Sequence, residues 1–320
     1  MTKMMSAALF DSYGPPDVLY VGKVPVPTPR PGEVLVRVHA ASVNGGEAHA
    51  RSGRVRLLTG NRFPQRVGLD FAGEVAVTTA GGLREGDMVW GTMPRNPRAF
   101  GSVAEYVTVR PRQIALAPSN LTPVEAVSLL AGGTTALTAL RDKARLKAGE
   151  RLLVRGASGG VGSVAVQYGK AFGARVTGLA RPRNLDFVRE MGADEALDHT
   201  TIPLAALGAF DVILDAAGTR HRELRGLLAP GGRMVAIAFD TAHIARSLGY
   251  IAASAVHGTG RVRFFSGNPF HDMYAELTQY VESGTLRPVV DTVHPLSAVA
   301  EAHRALEAGG VRGKHVIQIV

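Results

Sequence analysis

Apolar and β-branched residues recur in short runs through the first part of the chain, each run cut off by glycine or proline. Val34-Leu35-Val36-Arg37-Val38-His39-Ala40 follows a proline-rich stretch, and residues 70–77 and 103–109 repeat the pattern, so this part is predicted to be mostly β. Past Pro123 the period changes. Residues 124–140 carry apolar side chains at helical spacing behind Thr122 as N-cap, with a break expected at Gly132-Gly133. From Arg151 onward strand and helix patterns alternate. Strands are predicted at 151–155, 174–179, 195–198, 210–215 and 232–238, helices at 161–172, 184–191 and about 220–228. Val262-Arg263-Phe264-Phe265 adds a sixth strand. Alternation of this kind predicts βαβ units on a parallel sheet. Helical spacing returns at 272–283 and 299–307, and 316–320 reads as a closing strand. The class is therefore α/β. A β-rich domain is expected over 1–122, a doubly wound parallel-sheet domain over 123–266, and a return to the first domain over 267–320.

Composition narrows the function classes. The 320 residues are 46% hydrophobic and 20% charged, which is globular, and the length suits about two domains. No run of eighteen or more apolar residues is present, so no spanning helix and no membrane partner are expected. The N-terminal residues lack the long apolar core of a signal peptide, and a cytoplasmic location is expected. The chain has no Cys, which excludes disulfides and any thiolate-bound zinc. The net charge of +9 raises the question of nucleic acid. Its basic residues are scattered and no basic block is interleaved with aromatics, so a scattered basic surface is the preferred reading.

The chemistry concentrates in "RGASGGVGS", residues 155–163. Each glycine has a function if a diphosphate lies there. Gly156 ends the strand in a tight turn, Gly159 lets backbone approach phosphate oxygens, and Gly162 lets the next helix pack close to the sheet. The helix opening near Val161 directs its free N–H groups at the diphosphate. Ala157, Ser158 and Gly160 complete the turn. At the end of the second strand, Gly178-Leu179-Ala180-Arg181-Pro182-Arg183-Asn184 offers no acid to accept bonds from a ribose 2′-OH. Arg181 and Arg183 stand there instead, and a guanidinium suits a 2′-phosphate, so NADPH is favoured over NADH. One of the two arginines is enough.

Together these residues resemble the zinc-independent quinone oxidoreductases, the zeta-crystallin-like branch of the medium-chain dehydrogenase/reductase superfamily. The resemblance rests on "YGPPDVL", "GEVLVRVHAASVN", "GLDFAGEV", "FGSVAEYVTV", "GASGGVG", "GADEALDH" and "RGKHVIQIV", spread from about Ala7 to Val320. It implies a GroES-like β-barrel catalytic domain, an inserted Rossmann domain, an active site in the cleft between them, and homodimers paired through Rossmann sheet edges. The zinc alcohol dehydrogenases of the same superfamily place Cys and Gly-His-Glu where this chain has Asn44 and Gly68-Leu69-Asp70. Without a Lewis acid an alkoxide lacks stabilisation, whereas hydride transfer to a quinone or to an α,β-unsaturated carbonyl gives a resonance-stabilised oxyanion.

The resemblance also implies roles. Asn44 either donates to the substrate carbonyl or holds the nicotinamide ribose, and a plain turn residue is the alternative. His49 falls where many relatives have Tyr and is a candidate proton donor, with a surface His as the other reading. Thr135 matches a Thr that lies near the nicotinamide. Ala216, Phe239, and Phe265 with Ser266 follow the fourth, fifth and sixth strands of the sheet and are candidate cofactor contacts. Glu47 stands where Asp is usual, Gly45-Gly46 replaces bulkier residues, and Arg51 matches a recurrent arginine. Two other functions stay open: an enoyl reductase acting on acyl thioesters, and a non-catalytic NADPH- or RNA-binding relative.

Overall fold

The computed structural model describes residues 2–94, 100–238, 240, 243–254, 260, 262–265, 267 and 269–320, with backbone alone for 244–248. The chain divides into two compact units, Met1–Ala131 with Asn268–Val320, and Gly132–Gly267.

The first unit opens with β1 (Met4–Phe10), β2 (Tyr20–Pro25), β3 (Val34–Ser42), two short helices α1 (Gly45–Arg51) and α2 (Arg56–Thr59), and β4 (Gln65–Arg66). It continues through β5 (Asp70–Thr78), β6 (Met88–Thr92), β7 (Tyr106–Val109) and β8 (Ile114–Leu116) into α3 (Pro123–Leu137), whose residues from Gly132 onward belong to the second unit. The second unit carries β9 (Arg151–Arg155), α4 (Gly162–Ala171), β10 (Arg175–Ala180), α5 (Leu185–Glu190), β11 (Glu195–Asp198), β12 (Phe210–Asp215), α6 (His221–Arg225), β13 (Leu228–Ala236), α7 (Ile244–Ala253) and β14 (Val262–Phe264). The chain then returns to the first unit with α8 (His271–Glu282), β15 (Val290–Pro295), α9 (Val299–Ala308) and β16 (Lys314–Gln318).

In the first unit β2-β1-β4 form a small sheet, and a seven-stranded sheet runs β15-β16-β3-β5-β6-β8 with β7 also on β3. Val34, Val36 and Val38 point their alternate side chains into one core with Phe71, Val89 and Ile114, as the period of two requires. The last strand matters most for function. β16 pairs antiparallel with β3, setting Val316 opposite Ser42, and so delivers Lys314 to the far end of β3.

The second unit is a six-stranded sheet, β11-β10-β9-β12-β13-β14, parallel throughout. Strand order reverses between β9 and β12, and in doubly wound sheets such a switch point is where ligands bind beyond the carboxyl ends of the strands. Leu153, Ile213 and Met234 from its middle strands are fully buried, as expected for strands covered on both faces.

Two expectations need correction. The helix expected to break at Gly132-Gly133 runs through both glycines, and α3 continues in a wider-wound turn over Thr138–Ala144. This continuous helix of 22 residues is long and apolar enough to cross a membrane by length and composition, contrary to the sequence reading. With 72% of its apolar window buried, it is explained as a core helix. The helix expected at 220–228 is only His221–Arg225. Arg220 enters it in the left-handed region (φ 60°), and β13 begins already at Leu228, opposite Phe210.

Candidate active site

The glycine turn follows the end of β9. Gly156 has φ +79°, a conformation that a side chain disfavours, and its N–H and that of Ala157 both donate to the Leu179 carbonyl at 3.2 and 3.0 Å. The turn is thereby tied to β10. A Cβ on Gly162 would lie 2.0 Å from the Gly156 carbonyl oxygen, so only glycine lets α4 start this close to the strand. At Gly159 a Cβ would meet only the Gly156 oxygen, at 3.6 Å, which leaves open space over the turn. Val161 caps the start of the ten-residue α4.

The neighbouring candidates gather on this turn unevenly. Asn184 Nδ2 donates to Ser158 Oγ at 3.0 Å, joining the turn to the segment after β10, on which Arg181 and Arg183 stand exposed. Ala216 lies beside Gly156: its N–H donates to the Arg155 carbonyl at 3.1 Å. Phe265 instead packs near Lys143, whose ammonium is 6.0 Å from the ring centre. Thr135 is half-buried on α3, one turn after Gly132. Phe239 and Ser266 fall outside the described residues.

Gly132, expected only to break the helix, has a different part in this site. A Cβ there would lie 2.0 Å from the Gly160 carbonyl oxygen, so α3 rests directly against the turn. Gly132→Ala is expected to push the two apart at a cost of about 1–3 kcal/mol. A fall in melting temperature together with a weaker nucleotide Kd checks this.

In the first unit, Asn44 caps α1 and is almost fully buried. Its Nδ2 lies 3.1 Å from the Ser42 carbonyl and 3.3 Å from both Ser42 Oγ and Asp70 Oδ1. Its Oδ1 accepts from the Lys314 ammonium. Both ends of the amide are therefore engaged within the protein, and donation to a substrate carbonyl requires Nδ2 to give up part of this set. Asp70 accepts from Ser42 N–H at 3.0 Å and from Ser42 Oγ at 2.7 Å. Glu47 spans two backbone groups, accepting from Asn44 N–H at 2.5 Å and Gly68 N–H at 2.6 Å. This contact gives the glutamate at that position its role.

Glu47, Asp70 and Lys314 are all buried, two acids against one base. Burial, reinforced by the charge of Asp70, raises Glu47 to about 8 despite the Asn44 and Gly68 N–H groups and Lys314. Burial raises Asp70 also, opposed by Lys314, Ser42 and Asn44. Burial lowers Lys314, opposed by Asp70 and Glu47. His49, half-buried on α1, is held below the ordinary histidine range by burial and by Arg54, against Glu307, so its ring is neutral at pH 7. Arg51 is fully buried, paired with Glu307 and bonded to the Gly14 carbonyl, which is a structural role.

Comparison with known proteins places the chain in a family. The alcohol dehydrogenase GroES-like domain family matches residues 30–119, and the zinc-binding dehydrogenase family matches residues 191–317. The 2-methylene-furan-3-one reductase of Solanum lycopersicum is 33% identical over 98% of this chain and 79% of its own length. The chloroplastic NADPH-dependent alkenal/one oxidoreductase of Arabidopsis thaliana is 32% identical over 98% of this chain and 80% of its own. The quinone oxidoreductase of Coxiella burnetii superposes with a TM-score of 0.90 at 30% identity, covering 99% of this chain and all of that one. The chain belongs to the quinone oxidoreductase branch of the medium-chain dehydrogenase/reductase superfamily. Its fold is that of the superfamily, a GroES-like domain with a Rossmann domain inserted.

Among the described residues of this superfamily member, no three His, Cys, Asp or Glu side chains form a group that would hold a metal ion. The turn fits a nicotinamide dinucleotide, because Gly159 leaves room and α4 presents its N-terminus there. The residues that would hold the nucleotide, on the sequence reading, are Gly156–Gly162 with Arg181, Arg183 and Asn184 beyond β10. Lys314 and Asp70 were not legible as partners of Asn44. Lys314 is 270 residues away in sequence, and only the pairing of β16 with β3 joins them.

Proposed function

We propose that this protein is an NADPH-dependent reductase of quinones and α,β-unsaturated carbonyl compounds that works without a metal ion. The observation that carries the reading is the bare turn at Gly156–Gly162 followed, after β10, by two exposed arginines and no acid. A reduced nicotinamide supplies a hydride when bound. The protein's own residues bind and orient: the turn takes the diphosphate, Arg181 or Arg183 the 2′-phosphate, and Asn44 holds its place through Lys314 and Asp70. The relatives named for quinone, alkenal/one and furanone reduction support this substrate class. The absence of Cys and of a three-donor cluster among the described residues supports the metal-free reading. A homodimer belongs to the same proposal: β14 is an edge strand with Phe264 exposed.

The direct test mixes purified protein and NADPH with a panel of quinones, enones and acyl thioesters, following loss of the reduced nicotinamide's absorbance. Turnover confined to thioesters, or none at all, refutes the reading. The cofactor part is tested separately. Arg181→Ala with Arg183→Ala is expected to weaken NADPH about tenfold to a hundredfold, from the lost charge-assisted bonds, and to leave NADH nearly unchanged. Equal loss for both nucleotides places the 2′-phosphate elsewhere.

A further inference from the structure

The stretch from Ala48 to Leu69 holds five arginines and no Asp or Glu. At its centre α2 carries two leucines in the open: Leu57 is 93% exposed and Leu58 62%. Large apolar side chains this exposed, side by side, are unusual on a protein surface. The segment is nevertheless anchored. Thr59, the next residue, is buried and bonds to the Tyr13 hydroxyl, and Phe63 packs edge-on against Tyr13 at 5.1 Å and Phe10 at 5.9 Å. The protein thus fixes α2 from beneath and presents both leucines outward.

Charge surrounds them. Arg56 and Arg62 are exposed and form no ion pair among the described residues, and Arg51 is excluded because Glu307 holds it inside. Arg66 is half-buried with no carboxylate partner among the described residues, and burial shifts its guanidinium downward. Arg62 and Arg66 line a cavity of about 710 Å³ adjoining α2, with Thr59, Gly60 and Asn61. Arginines without acids, around two exposed leucines, match a surface with anionic groups over hydrocarbon.

We infer that α2 and its flanking arginines dock on an anionic lipid bilayer, Leu57 and Leu58 entering the interface and Arg56, Arg62 and Arg66 pairing with headgroup phosphates. The expectation of no membrane partner rests on the lack of an apolar run of eighteen residues. A peripheral contact needs no such segment.

The test uses the full chain in flotation assays with vesicles of phosphatidylcholine, with and without about a third phosphatidylserine. Binding is expected only with phosphatidylserine and is expected to weaken steeply with salt. Leu57→Ser with Leu58→Ser should lower binding at least about tenfold. Arg56→Gln with Arg62→Gln should lower it about 25-fold, fivefold for each charge. The exposed pair Arg110→Gln with Arg112→Gln serves as the control for general charge and should change binding little. Equal loss in that control, binding to phosphatidylcholine alone, or no binding overturns the inference. So does a wild type that sediments as a larger species than the leucine variant, which would make the patch an interface between copies. A leucine variant that keeps lipid binding but changes KM for a soluble quinone also overturns it, assigning the leucines to substrate.

Discussion

A Gly159→Val variant is expected to lose nicotinamide-nucleotide binding by at least about a hundredfold while melting close to the wild type. The two halves of that expectation come from the same place in the turn. A Cβ at Gly159 finds only the Gly156 carbonyl oxygen at 3.6 Å, an ordinary contact, and the residue lies outside the left-handed region. The turn alone therefore accepts a Cβ at this position without strain. A diphosphate does not, because backbone N–H groups bond to phosphate only where nothing stands between them. Two lost bonds to a charged group account for a factor of this size. Gly162→Val provides the contrast: its Cβ would lie 2.0 Å from the Gly156 oxygen and 2.8 Å from Ala157 Cα, so the turn itself must break. Titration calorimetry with NADPH, paired with thermal melts of both variants, separates the cases. A Gly159→Val protein that binds NADPH like the wild type shows that the diphosphate lies elsewhere.

The turn was legible because its signal is local. Strand, glycines and helix start lie within a dozen residues, and each glycine meets a steric demand created by its immediate neighbours. The parallel sheet of the second unit followed from the strand–helix alternation, though not the order of its strands. Other features depended on partners far along the chain. β1, with the sequence Met-Met-Ser-Ala-Ala-Leu-Phe, has weak strand propensity, and it is a strand because β2 pairs with it in register from Met4–Pro25 to Leu9–Tyr20. Gly132-Gly133 looked like a helix break since glycine lowers helix stability. Its missing Cβ is used instead for close contact with Gly160, which no window around residue 132 reveals. Asn44 was singled out without the groups that hold it. Those are Ser42 and Asp70 from neighbouring strands and Lys314 from the last one, and they converge only after the sheet is assembled.

That convergence makes Lys314→Met the second large expected effect. Removing the ammonium leaves two buried acids without their counter-charge, and a broken buried ion pair costs about 3–5 kcal/mol when the acids are ionised. The loss should depend on pH. Glu47 titrates near 4.5 as an unperturbed group and at about 8 in the folded protein. Between those values the folded state keeps a proton that the unfolded chain has released, so stability falls as pH rises through the window, by about 1.4 kcal/mol per pH unit for one proton. Asp70, also raised, acts in the same direction. Lys314, lowered by burial, acts oppositely: over its own window the unfolded chain binds the extra proton, and stability rises with pH. The wild type thus carries slopes of opposite sign, whereas the variant retains only the falling one. Melting the two proteins from pH 5 to pH 8 should show a difference that widens toward the alkaline end, as Glu47 approaches its raised value of about 8 and ionises. A gap constant across that range would mean that Lys314 contributes packing rather than charge, and that Asn44 is held in place by Ser42 and Asp70 alone.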